Sequence, residues 1–151
     1  RAGHALLWRF LPPVAFGALV LPFRWPQRWA TVALFALAVL LAVVVSAQLR
    51  FLVDLTAFWL VDSRGVRAVY NSLGGVLAGL TVPLAFFPEP VRALLYATPF
   101  PALIQTPIDV FTEREPVIAV LGHQLVWAAL LFGVGQLALV RATRKLVVQG
   151  G

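Results

Sequence analysis

The chain predicts an all-α, polytopic membrane helix bundle, and three observations carry that class. Hydrophobic residues make up 61% of its 151 residues and charged residues only 12%, about half the charged share of a soluble domain. Mean hydropathy is +0.91. The apolar residues fall into runs near the length needed to cross a hydrocarbon core of roughly 30 Å, which takes about 20 helical residues. About four spanning helices are expected, with short broken helices that re-enter the membrane or lie at its interface.

The first run, residues 5–21, is apolar apart from Arg9 and is interrupted at Pro12 and Pro13, so it predicts a kinked span near the lower length limit. Residues 22–29 then form a tight turn in which Trp25 and Trp29 alternate with Arg24 and Arg28, the composition of an interfacial belt. The same interleaving could stack nucleotides, but a short turn between two apolar runs favours the interface. Residues 30–49 carry no charge and make the clearest span. Helix is expected to continue to Val61, because Arg50 and Asp54 are four apart and can pair on one face. Such a pair could line a substrate or proton path. The preferred reading places it at the membrane edge, where Arg50 snorkels and Asp54 neutralises it.

After a polar turn at residues 62–67, residues 68–87 are expected to return across the membrane, with Asn71 and Ser72 able to hydrogen-bond another helix. Gly75 and Gly79, four apart on one helical face, would let a neighbouring helix approach closely. Beyond them the residues stay apolar while the backbone is interrupted at Pro83, Pro88, Pro90, Pro99, Pro101 and Pro107, freeing carbonyls that lipid cannot satisfy. This segment must therefore be packed in protein, lie at an interface or line a wet cavity. The alternative, a greasy external loop, is opposed by its sustained apolar content. Residues 90–98 read as a short helix with Pro90 at its first position, Glu89 at its positive end, and Val91, Leu94 and Leu95 on one face. Residues 102–110 read as a second piece cut by Pro107.

Thr112 is expected to cap the last helix, with Glu115 three residues on and Pro116 in its first turn. Residues 116–140 then cross without a formal charge, and His123, Gln124 and Gln136 are their polar members. Arg141, Arg144 and Lys145 stop the span as a cytoplasmic anchor. With that end inside, Arg1, Arg9, Arg50, Arg64, Arg67, Arg141, Arg144 and Lys145 fall inside, and Arg24, Arg28, Arg92 and Arg114 outside. Eight against four obeys the positive-inside rule and makes the broken segment extracytoplasmic.

Several function classes fall away. The net charge of +6 could suggest nucleic acid, yet the basic residues are scattered singly between apolar runs. With no cysteine there are no disulfides, thiolate metal sites or cysteine nucleophiles. The one lysine, Lys145, follows Arg144 and has no P-loop around it, so this chain does not hydrolyse ATP. Proteolysis would need Ser72 with His123, but no strained elbow surrounds the serine, and Asp54 has no acidic partner within the spans. No catalytic residue, cofactor or metal site is expected. The absence of Met and the start at Arg1 suggest a fragment without its N-terminal helices.

Gly79-Leu-Thr-Val-Pro-Leu-Ala-Phe-Phe-Pro88, then Thr98-Pro-Phe100, Pro107, Gln124 with Trp127, and Gly150-Gly151 after the basic stop resemble the C-terminal part of type 2 ABC transporter permeases. Ala57-Phe58-Trp59 adds to the likeness. The resemblance implies one transmembrane permease domain over residues 1–151, whose four spans are helices three to six of a six-helix subunit. It implies a bacterial plasma-membrane exporter that works by alternating access, pairs with a second permease subunit as homodimer or heterodimer, and docks separate ATPase subunits. A non-transporting membrane scaffold is the rival class. On the transport reading, Pro83, Phe86, Phe87, Pro88, Tyr96, Pro99, Phe100 and Pro107 form an apolar exit gate. His123 is expected to bond a neighbouring helix, and Gln124 to be an intramembrane polar site.

Overall fold

The computed structural model describes residues 26, 28–60, 62–113 and 116–149, with side chains as far as Arg144. All regular structure among them is helical. The expected span at residues 5–21 and the Trp25 part of the first turn lie outside the described residues.

Helix α1, Trp29–Leu55, starts where Arg28 leaves extended backbone and runs through an uninterrupted apolar stretch. The Thr56 hydroxyl donates to the carbonyl of Val53 at 2.6 Å and the chain tightens into a 3₁₀ turn, Thr56–Phe58. Helix thus ends short of Val61. Helix α2, Arg64–Leu77, begins where the Asp62 carboxylate accepts the Arg64 N–H at 2.8 Å. Its end differs from expectation. Gly79 has φ +82°, the Gly79 N–H donates to the Val76 carbonyl, and the Leu80 N–H donates to the Gly75 carbonyl at 2.9 Å. That paired closure is a Schellman cap, so the helix stops a turn before Pro83. At 14 residues, roughly 21 Å, α2 is too short to cross alone.

A 3₁₀ turn, Leu84–Phe86, leads to α3, Glu89–Tyr96, with Pro88 at its N-cap and Glu89 paired to Arg92. Of the face predicted for α3, only Leu95 is buried. A second 3₁₀ turn, Pro101–Leu103, is separated from α4, Gln105–Phe111, by Ile104 at φ −135° and ψ −51°. Pro107 does not cut this piece. It is the third residue of α4, where an N–H would have no partner within the helix anyway. Helix α5, Val117–Gln149, follows, with the Pro116 carbonyl accepting from Ala119 and Val120. Thr112 is not its cap. It ends α4 instead, its hydroxyl donating to the Ile108 carbonyl at 2.8 Å.

Among the described residues two stretches are long and apolar enough to span, Trp29–Phe58 and Val117–Arg144. They pack on each other with the short segment between them. Ala38 of α1 and Val120 of α5 meet Val110 of α4, and further along Val45 and Leu131 meet Ala102 of the 3₁₀ turn. The Phe51 ring lies 3.5 Å from where a Cβ on Gly135 would sit, so that glycine lets the helices close. On the outer faces Leu37, Leu40, Val43, Leu125, Leu130, Phe132 and Leu137 are exposed. So much apolar surface suits lipid, where van der Waals fit and polar cross-links between helices hold the bundle.

Candidate functional site

Two features stand out: a polar knot at the short segment, and an open groove beside α2. The knot centres on Gln124, which is fully buried. Its amide Nε2 donates to the carbonyls of Ala38 at 3.0 Å and Ala102 at 2.8 Å, tying α1 and the 3₁₀ turn to α5 in one stroke. The Ala102 carbonyl sits beside the break at Ile104, where the regular ladder fails, so a side-chain donor replaces a backbone one. Gln124 Oε1 is buried without a partner among the described residues.

One residue earlier, His123 Nε2 stands 2.9 Å from the carbonyl of Tyr96. A carbonyl only accepts, so Nε2 carries the hydrogen. His123 therefore links the end of α3 to α5. The Tyr96 side chain turns to Asp109, its hydroxyl donating to Oδ2 at 3.3 Å, while Gln105 Nε2 donates to Oδ1 at 2.8 Å. Asp109 is only 4% exposed. A buried carboxylate is tolerable when donors of this kind converge on it. Tyr96, Asp109 and His123, with Thr106, Ala119 and Val120, line a cavity of about 270 Å³. No three His, Asp or Glu side chains among the described residues come together to hold a metal ion.

The groove is larger, about 770 Å³, and open on one side. Its walls are α1 from Phe35 to Arg50, α2 from Tyr70 to its C-cap Ala78, and Leu80, Leu103, Ile104, Pro107 and Ile108. Apart from Arg50, Tyr70, Asn71 and Ser46 the lining is apolar.

The predicted sites are redistributed by this geometry. Asp54 does not pair with Arg50: Arg67 of α2 takes it at 3.0 Å, because α2 folds back beside the end of α1. Gly75 and Gly79 share no helical face, since Gly79 lies beyond the C-cap. A Cβ there would stand 2.9 Å from Gln105 Oε1, so Gly79 serves contact between the turn and α4. Asn71 is exposed on the groove wall. The aromatic residues of the expected gate are dispersed: Phe86 is 79% exposed, Phe87 and Phe100 are half-buried, and Tyr96 belongs to the knot. Pro83 and Pro88 are exposed and flank a turn whose Leu84 is buried, whereas Pro107 is buried in α4.

Asp109, Gln105 and Thr106 escaped sequence reasoning. The signal was present, since Gln105 and Asp109 are four apart, but reading Pro107 as a break hid the helix that makes them neighbours. Thr31 and Glu113, 82 residues apart and joined by a 2.6 Å hydrogen bond, gave no sequence signal.

Residues 13–150 match the model of a family described as ABC-2 family transporter protein. No curated protein and no solved structure matches the chain.

Proposed function

The chain belongs to the ABC-2 transporter family, and on that premise we propose that it is the permease subunit of an exporter driven by separate ATPase subunits. The observation that carries this is the family match across residues 13–150, which takes in both long apolar helices and the broken segment between them. ATP binding in a partner can drive export only by shifting the permease between states of different substrate affinity, so the subunit must contain parts that move against parts that do not. The clamped turn and α4 suit the fixed part. The stretch from Pro83 to Phe100, more exposed than α4 and tied to α5 at Tyr96, suits the movable one by pivoting there and closes the exit. The face of α2 turned away from α1, where Val69 and Leu73 are exposed, supplies substrate contacts together with a second permease subunit. The eight-to-four distribution of basic residues supports an extracytoplasmic broken segment and a cytoplasmic C-terminus in a bacterial plasma membrane.

The test is co-expression of the full-length protein with a cassette ATPase encoded beside it, followed by affinity purification and reconstitution. Co-elution of the two and ATP hydrolysis that depends on the permease are expected. A permease that elutes alone and leaves ATPase activity unchanged would make it a membrane scaffold.

A further inference from the structure

The groove changes character from end to end. Because Asp54 holds Arg67, α2 runs back along α1 from that point, so Arg50 and Tyr70 stand at the near end and Val39, Leu80 and Ile108 at the far end. Arg50 and Phe35 are 15 residues apart, about 22 Å along the helix. The apolar walls are not filled from within the chain: Val43 is 61% and Leu80 67% exposed although both line the groove. Arg50 has no ion pair among the described residues, since the carboxylate four positions on is engaged by Arg67. A guanidinium at the end of an apolar helix is costly unless water or an anion meets it. A trough of hydrocarbon walls with an unpaired cation at one mouth complements an anion that carries a hydrocarbon chain.

We propose that this groove binds an anionic phospholipid of the surrounding bilayer, one acyl chain lying against Val39, Val43 and Leu80 and the phosphate held by Arg50. Guanidinium suits that phosphate because its planar fork offers two parallel donors. The Tyr70 hydroxyl and Asn71 amide stand in the same wall as further donors. The site is about as large as pockets that enclose small ligands.

The test uses the full-length protein in nanodiscs of mixed phosphatidylglycerol and phosphatidylcholine, with retained lipid counted by native mass spectrometry after mild extraction. Wild type should retain phosphatidylglycerol in preference, and Arg50→Lys should keep much of that preference. Arg50→Gln should lose it, whereas Arg64→Gln, an exposed arginine away from the groove, should not. Val43→Trp, which fills the trough and leaves the charge, should lose the bound lipid altogether. Unchanged retention in both Arg50→Gln and Val43→Trp would overturn the proposal. So would disulfide-linked dimers of Val43→Cys in this cysteine-free chain, because a second copy would then cover the groove.

Discussion

Helices α2 and α4 exchange the roles their sequences suggest. Helix α2 has 14 residues and no buried side chain. Helix α4 has seven and buries Thr106, Pro107, Asp109 and Val110. The longer, regular helix lies at the edge of the fold, tied to α1 by an ion pair whose two side chains are each more than half exposed. The short, proline-bearing piece is wedged between the two spans, with Gln124 tying down the 3₁₀ turn that leads into it and its Asp109 accepting from Tyr96 and Gln105. Regularity along a chain is thus a poor guide to rigidity in the fold. In a membrane the backbone that most needs partners is the broken backbone, and burying it against polar side chains supplies them.

This contrast can be broken most directly through transport. If the stretch from Pro83 to Phe100 moves while the turn and α4 stay fixed, the double substitution Phe87→Ala with Phe100→Ala should change export or substrate-stimulated ATPase activity and leave assembly intact. Normal transport by that variant would reduce the segment to a cap.

The next effect concerns the anchor. Gln124→Leu keeps the volume and removes both bonds, leaving the Ala102 carbonyl buried without its donor. A loss of about 2 kcal/mol is expected, roughly 1 kcal/mol per bond, read as a lower unfolding temperature in detergent. Wild-type stability would mean that the short segment is not held by this knot.

Gly79→Ala probes the junction of the two regions. Its φ of +82° disfavours any side chain, and the new Cβ would press on Gln105. A cost of about 1–2 kcal/mol is expected. A neutral result would show that the turn relaxes freely and that α2 and α4 are uncoupled there.

The smallest effect belongs to α2. Asp54→Asn removes its ion pair with Arg67, and because both partners are exposed the change should stay within about 0.5 kcal/mol. A large loss would make α2 a structural element and erase the contrast.

By itself the sequence determined the all-α membrane class, the two long spans, the start of α3 to within one residue of Pro90, and the polar character of His123 and Gln124. These are local properties: hydropathy over a run of residues, a proline without an N–H, one polar side chain in an apolar stretch. Even the end of α2 was locally encoded, since a glycine past the last helical turn is a stop signal that competed with the helix-contact reading of Gly75 and Gly79. Tertiary structure alone decided which arginine Asp54 pairs with, that Gln124 reaches Ala38 and Ala102, and that Pro107 lies inside a buried helix. A pairing of four residues within one helix is visible along the chain. A partner 13 or 86 residues away becomes available only when the backbone folds back, and it wins when it satisfies a group the local structure leaves unpaired.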